Sequence, residues 1–209
     1  MKVEFLECKF IGKAKLNSAQ IKQLPKDICI GSSIQFIDLI PEIKKQTKGK
    51  LIKTNNSTYK GQVLGCSKIK NNCKNLLYIG DGNFHAWQLR NEFEGNIFTF
   101  NPFNKKLSKV VSLDKYKKRQ KGMLLKFLNS NTIGVIISKK PGQRYGDINK
   151  LIKKYPDKKF YKFVFDTIDY QQLNNFNFID IWVNTACPRI GFEDSYEFKL
   201  SLINVEEII

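Results

Sequence analysis

The sequence predicts an α/β fold made of two small units, each built around a mostly parallel sheet. Short apolar runs alternate along the chain with segments whose apolar residues recur at helical spacing, which is the pattern of strands joined by crossover helices. The clearest strand is Thr132–Ser138, which ends just before the turn signal Pro141-Gly142. A long helical segment meets this strand near residues 129–131, so the predicted units are 1–129 and 130–209.

In the first unit, apolar runs bounded by polar or glycine residues mark the strands. The predicted strands are 28–31, 76–80 and 96–100, and the predicted helices are 34–40, 86–94 and 113–128. The run 76–80 reads Leu-Leu-Tyr-Ile-Gly, which is typical of a buried strand. The last helix is amphipathic because five of its residues can share one face, namely Tyr116, Met123, Leu124, Phe127 and Leu128.

In the second unit the same alternation continues. Strands are predicted at Thr132–Ser138, 160–165 and 178–183, with a helix at 147–154. Asp147 is a candidate N-cap because its carboxylate can accept from the first backbone N–H groups of that helix. The two halves share no sequence period, so any repetition between them is architectural only.

The bulk composition is that of an ordinary globular protein, with 42% hydrophobic and 26% charged residues. No apolar run approaches the ~20 residues needed to span a bilayer, and the start of the chain lacks a signal-peptide pattern. No membrane association and a cytoplasmic location are therefore expected. The formal charge of +17 raises the alternative of an RNA-associated protein, but the lysines are scattered and no aromatic platform accompanies them, so RNA is not the expected partner.

The chain has five cysteines, Cys8, Cys29, Cys66, Cys73 and Cys187. An odd number, wide spacing and no secretion signal argue against a disulfide framework. By itself, each cysteine is therefore expected to be a small buried apolar residue.

Four short runs combine turn residues with polar or thiol groups. They are 61–66 (Gly-Gln-Val-Leu-Gly-Cys), 80–85 (Gly-Asp-Gly-Asn-Phe-His), 140–143 (Lys-Pro-Gly-Gln) and 185–189 (Thr-Ala-Cys-Pro-Arg). The last three follow predicted strands, and α/β sheets bind ligands beyond the carboxyl ends of their strands. Run 61–66 is a glycine-rich loop in which the backbone can adopt positive φ. We therefore expect the ligand-binding and reactive residues to lie at one edge of the sheet in each unit.

These four runs, in this order, resemble the 2-(3-amino-3-carboxypropyl)histidine synthases that begin diphthamide biosynthesis. The resemblance covers roughly residues 3–206 and implies Rossmann-like units. It implies that Cys66 and Cys187 are ligands of a [4Fe-4S] cluster, whose open iron meets S-adenosylmethionine. It further implies transfer of a 3-amino-3-carboxypropyl group, as a radical, to the imidazole C2 of a histidine on translation elongation factor 2. Methylthioadenosine is the by-product, and an electron donor is required.

The resemblance also suggests contacts for S-adenosylmethionine. Gly142 and Gln143 match the turn near the bound molecule, although the residues alone also fit a plain surface turn. Asp81 and Gly82 can present backbone N–H groups to a polar ligand, while Asp81 can equally cap the next helix. Arg189 can bind a carboxylate or form a salt bridge beneath its loop. His85, the only histidine, is expected to be structural, and the catalytic residues remain unknown.

The family has three similar domains, each with one cluster cysteine, and this chain resembles only the second and third. The missing cysteine can come from a separately encoded first domain, or one of Cys8, Cys29 and Cys73 can replace it, or the chain can be a non-catalytic partner subunit. Cys8 and Cys29 are predicted on strands and Cys73 among polar residues, none in a setting like that of the matched cysteines. We therefore expect a split enzyme whose partner chain supplies the third ligand.

Overall fold

The structure, a computed structural model, describes residues 4–55, 57–65, 67–70, 72–82, 84–110, 114–143, 147–194 and 199–209. The chain divides into two compact units, Met1–Ser112 and Leu113–Ile209. The boundary therefore lies before the long helix that the sequence assigned to the first unit.

The first unit contains a five-stranded sheet. Its strands are β1 (Cys29–Ser32), β2 (Lys50–Leu51), β3 (Asn75–Ile79), β4 (Asn96–Asn101) and β5 (Lys106–Lys109), and its helices are α1 (Ser18–Gln23), α2 (Ile40–Thr47) and α3 (Phe84–Glu92), with a 3-10 helix at Ile34–Leu39. The strand order is β2-β1-β3-β4-β5. The first four strands run parallel and β5 is antiparallel to β4.

Both faces of this sheet are covered by apolar residues. Because successive strand residues point to opposite faces, Leu77 and Ile79 of β3 join one cluster while Leu76 and Tyr78 join the other. Burial on both faces explains why this strand reads as a continuous apolar run rather than an alternating one.

The second unit contains a four-stranded, wholly parallel sheet with strand order β7-β6-β8-β9. Its strands are β6 (Thr132–Ser138), β7 (Lys159–Phe165), β8 (Ile181–Asn184) and β9 (Leu202–Asn204). Its helices are α4 (Asp114–Asn129), α5 (Ile148–Lys154), α6 (Tyr170–Leu173), a π-helical segment at Ile190–Asp194 and a 3-10 helix at Val205–Glu207.

Helix α4 belongs to the second unit because its apolar face packs there. Phe127 is fully buried in the cluster that contains Ile133 and Ile181, and Met123 and Leu124 pack against the same cluster. The sequence thus predicted an amphipathic helix correctly, except that Leu128, predicted on the apolar face, is exposed. The pattern could not show which sheet the helix covers.

Other elements differ from the sequence-based predictions in local ways. The predicted helix at 34–40 is a 3-10 helix that leads into α2, whose first turn contains Pro41, a residue tolerated there because the early N–H groups have no helical partner. The strand predicted from residue 178 begins only at Ile181, and Phe178 is exposed. Cys8, predicted on a strand, lies in irregular chain and is exposed. Asp147 caps α5 as predicted, accepting from the Asn149 N–H.

Among the described residues, no helix is both long and apolar enough to cross a membrane.

Candidate functional site

In each unit, the motifs found in the sequence lie at the carboxyl edge of the sheet. In the first unit, Gly80 directly follows β3. In the second, the turn at 140–143 follows β6 and Cys187 follows β8, and these two strands are neighbours. This is the edge at which parallel α/β sheets bind ligands, so the strand-end placement expected for these three runs is observed.

Cys66 itself lies outside the described residues, but the chain that leads to it is held against β1. The Ser32 N–H donates to the Gly61 carbonyl (2.9 Å), and the Val63 N–H donates to the Ser32 carbonyl (2.8 Å). Gly61 adopts φ +85°, and a Cβ there would lie 2.7 Å from the Ile40 side chain. The positive φ therefore favours glycine at Gly61, and the Ile40 side chain would have to shift to admit a Cβ there.

The loop before Cys66 meets the strand-end run 80–85 of the same unit. A Cβ on Gly65 would lie 2.6 Å from Cε1 of Phe84, the first residue of α3. The structure therefore brings two of the four motif runs together. Asp81 and Gly82 are exposed at this edge, and Gly82 has φ +70°, a conformation that favours glycine.

His85 packs between two aromatic side chains. Its ring stacks on Tyr78, with ring centroids 5.8 Å apart, and meets Phe84 edge to face. Tyr78 is 1% exposed, and its burial, aided by the negative charge of Asp81, raises the pKa of the phenol far above its ordinary value. The Tyr78 phenol therefore stays protonated at neutral pH.

Cys187 carries a half-buried thiol immediately beyond β8 and packs against the apolar cluster of that sheet. The chain just before it is anchored to the neighbouring strand, because both the N–H and the hydroxyl of Thr185 donate to the Ile136 carbonyl (3.1 and 2.7 Å). The thiol is thus presented from a fixed part of the backbone rather than from a loose loop.

Two buried asparagines hold the backbone around this thiol, and sequence reasoning missed both. The Asn184 side chain donates to the Cys187 carbonyl (2.9 Å), and the Asn204 side chain donates to the Pro188 carbonyl (3.0 Å). The one signal in the sequence was an asparagine ending each of two apolar runs, where a polar residue needs a specific partner.

The turn at 140–143 lies at the same edge of the second unit. Gly142 is exposed with φ +75°, and the Gln143 N–H donates to the Lys140 carbonyl (3.2 Å), which closes the turn. The Gln143 side chain accepts from the Ser138 hydroxyl at 3.4 Å. Arg189 is exposed directly after Pro188. All three candidate contact residues therefore belong to the edge that carries Cys187.

Cys29 and Cys73 form a disulfide, which corrects the expectation that the cysteines are separate thiols. Their Cα atoms are 6.0 Å apart, within the usual range for such bonds. Cys29 is the first residue of β1, and Cys73 lies just before β3, which pairs directly with β1. Neither residue is therefore available as a replacement cluster ligand while the bond is intact.

The donor set in the described part of the chain fits one corner of an iron–sulfur cluster rather than a complete site. Thiolate is the usual ligand of such clusters, and Cys187 offers one at a strand end. Within the described ranges, no three His, Cys, Asp or Glu side chains lie close enough together to hold a metal ion. A cluster bound at Cys187 would need further ligands, and Cys66 lies outside the described residues.

Glu207 lies close to this edge, next to Asn204. Its carboxylate accepts from the Tyr116 hydroxyl (3.0 Å) and, at 3.4 Å, from the Asn204 side chain. Burial raises the pKa of Glu207 above its ordinary value, and these hydrogen bonds only partly offset that effect. Ionising this carboxyl therefore costs more free energy in the folded protein than in the unfolded chain.

We expect Glu207→Gln to stabilise the protein at pH 7.5. A raised folded pKa means that stability falls as pH rises from the ordinary carboxyl value of 4.5 through the folded value, and glutamine removes that loss while keeping an oxygen acceptor for Tyr116. The thermal midpoint should rise by about 2 °C or more at pH 7.5, and the gain should shrink toward pH 4. A gain that is equal at both pH values, or a lower midpoint at pH 7.5, would contradict the assignment of a buried charge.

The fold and the strand-end thiol define a class, that of α/β proteins with cysteine-bearing loops at the carboxyl edges of parallel sheets. The family model described as "Putative diphthamide synthesis protein" matches residues 2–209. The chain belongs to this family of diphthamide synthesis proteins.

Similar curated proteins bear consistent names. The 2-(3-amino-3-carboxypropyl)histidine synthase subunit 1 of Debaryomyces hansenii is 29% identical over 94% of this chain, and the 2-(3-amino-3-carboxypropyl)histidine synthase of Methanocaldococcus jannaschii is 27% identical over 87%. These alignments cover 50% and 51% of the two relatives. The chain therefore spans about half the length of the curated relatives it matches.

Solved structures agree on the fold. Dph2 from Pyrococcus horikoshii superposes with a TM-score of 0.79 at 24% identity, covering 92% of this chain and 59% of that one. Its form with a 4Fe-4S cluster gives a TM-score of 0.76 at 24% identity, covering 91% and 58%. The predicted α/β class is therefore confirmed.

Proposed function

We propose that this chain is the part of a diphthamide synthase that binds a [4Fe-4S] cluster through Cys66 and Cys187. The assembled enzyme would transfer a 3-amino-3-carboxypropyl group from S-adenosylmethionine to the imidazole C2 of a histidine on translation elongation factor 2. Methylthioadenosine would be released. Family membership and the names of the curated relatives support this class of reaction.

One observation carries the proposal, namely that the Cys187 thiol is half-buried beyond the carboxyl end of β8, with hydrogen bonds to the backbone before it at Ala186 and after it at Pro188. A structural cysteine needs only apolar packing, whereas a ligand needs a thiolate that faces its cluster from a fixed position. The cluster-bound relative with the same fold supports the same interpretation.

When bound, the cluster would supply the electron that cleaves a sulfur–carbon bond of S-adenosylmethionine. The residues of this chain would bind S-adenosylmethionine and orient it. Arg189 is exposed beside Cys187 and suits a carboxylate. The exposed Gly142 turn and Gln143 would contact the rest of that molecule in one unit, and the Asp81-Gly82 turn would do so in the other.

We further propose a second polypeptide that contributes the third cysteine. Clusters of this kind take thiolates from several cysteines, while two of the chain's five cysteines form a disulfide and Cys8 is exposed on irregular chain. A separate electron donor would complete the system.

The test is turnover of S-adenosylmethionine to methylthioadenosine under anaerobic dithionite, with elongation factor 2 as acceptor. We expect activity when the chain is co-purified with a polypeptide that carries the family's first domain. The chain alone should be about 10-fold or more less active, because loss of even an outer partner of a metal ligand costs that much. Equal turnover by the isolated chain would refute the split arrangement. Binding of elongation factor 2 without turnover in the full mixture would instead identify a non-catalytic docking subunit.

A further inference from the structure

The carboxyl ends of β8 and β9 are joined by a pair of buried amides. Asn184 and Asn204 end these two strands and lie opposite each other in the parallel register. They are 1% and 3% exposed, and the Asn184 Nδ2 lies 2.7 Å from the Asn204 Oδ1. The residues before them on both strands are apolar, so this pair is a local exception within the core of the sheet.

The hydrogen bonds leave one orientation for each amide. The Ala186 N–H can only donate, so the Asn184 atom 3.0 Å from it must be the oxygen. The Asn184 nitrogen then faces the Cys187 carbonyl and the Asn204 oxygen, and both of these accept. The Asn204 nitrogen is left facing the Pro188 carbonyl, which also only accepts. Every donor therefore meets an acceptor.

The two side-chain amides donate to two consecutive backbone carbonyls, those of Cys187 and Pro188. Two further elements hold them in place. The Asn204 amide reaches Glu207, and its oxygen fills the space beside Gly191, where a Cβ would lie only 2.3 Å away. Buried amides left without partners are costly, so the pair favours the loop conformation that supplies these carbonyls.

We propose that Asn184 and Asn204 are positioning residues for Cys187, holding its backbone so that the thiol faces the carboxyl edge of the sheet. This inference rests on the proposed role of Cys187 as a cluster ligand. Ligands of metal centres depend on such outer partners for orientation, and a thiol that can swing would bind a cluster less tightly.

The first experiment uses the unaltered protein. Hydrogen exchange should protect the amides of Ala186, bonded to Asn184, and Ile190, bonded to the Cys187 carbonyl, within about 10-fold of Trp182 in β8, because all three are held by fixed acceptors. If the two loop amides exchange more than ~100-fold faster than Trp182, the loop is not held and the proposal is wrong.

The second experiment measures alkylation of Cys187 by iodoacetamide at one fixed pH, read by peptide mass spectrometry, in Asn184→Ala and Asn204→Ala. We expect rates about 5-fold above wild type, a change typical of local opening, with the rate at exposed Cys8 unchanged. The matched control is Ser130→Ala, which removes a buried hydroxyl bonded to the Lys126 carbonyl (2.7 Å) before β6, at the opposite edge of the sheet. Folded asparagine variants with wild-type Cys187 rates would overturn the proposal. If neither variant folds, hydrogen exchange in the unaltered protein decides whether the loop is held.

The third measurement tests whether Asn184 and Asn204 affect the cluster itself. In the reconstituted complex, Asn184→Ala and Asn204→Ala should shift the electron paramagnetic resonance spectrum of the reduced cluster, while Ser130→Ala should not. An unchanged spectrum in both asparagine variants would count against positioning. If wild type binds no cluster, the proposed function fails, whereas hydrogen exchange and alkylation still decide whether the asparagines hold Cys187.

Discussion

Cys187→Ala is expected to abolish binding of the iron–sulfur cluster in the assembled enzyme, and Cys66→Ala is expected to do the same. In the proposed enzyme, each substitution would remove one thiolate ligand of the cluster. Loss of even an outer partner weakens metal sites by roughly 10-fold or more, so loss of a direct ligand should leave the iron content near background. The readouts are iron content and the visible charge-transfer absorbance after anaerobic reconstitution with iron and sulfide.

The matched control is Cys8→Ala, because Cys8 is exposed on irregular chain. This variant should retain wild-type iron. If Cys8→Ala loses iron as completely as Cys187→Ala, the ligand assignment is wrong. If Cys187→Ala retains the full absorbance, Cys187 is a packing residue and the proposed function loses its main support.

Reduction of the Cys29–Cys73 disulfide is expected to destabilise the first unit strongly. The bond joins residues 44 apart in sequence, and closing a loop of that size stabilises a protein by roughly 4 kcal/mol in the chain-entropy model. The sequence alone suggested a change of only about 1 kcal/mol for loss of either cysteine, as for an ordinary packing residue. The thermal midpoint of the oxidised protein should therefore fall by about 10 °C on adding a reductant.

The double variant Cys29→Ala/Cys73→Ala tests this expectation. Its midpoint should match that of the reduced wild type and should not respond to reductant. Cys8→Ala should keep the full difference between oxidised and reduced protein, because Cys8 lies outside the bond. A wild-type midpoint that is insensitive to reductant would show that the bond does not form in solution.

Much of the architecture was predictable because both sheets are mostly parallel and buried. Parallel strands covered on both faces appear in the sequence as apolar runs, as β3 and β6 do. In the helices between them, apolar residues recur at helical spacing. Strands β2 and β5, at the two edges of the first sheet, were missed for the same reason, whereas the edge strand β7 was predicted. Strand β5 reads Lys-Leu-Ser-Lys and is largely exposed, so it carries no apolar run to find.

The site was predictable only where its chemistry lies in a short run of sequence. The turn at 140–143 and the Cys187 loop carry their glycine, proline and cysteine within a few residues. The Asn184–Asn204 pair cannot be found in this way, because its two members are 20 residues apart and meet only through the register of β8 and β9.

The sequence by itself determined the α/β class, the family resemblance and the candidate residues, because periodicity, turn chemistry and motif order are local properties of the chain. The tertiary structure decided the remainder. It assigned α4 to the second unit, joined Cys29 to Cys73, and placed Asn184 and Asn204 on the carbonyls beside Cys187. Each of these depends on which strands pair and which faces are buried, and that choice is made by the packing of distant segments rather than by any one of them.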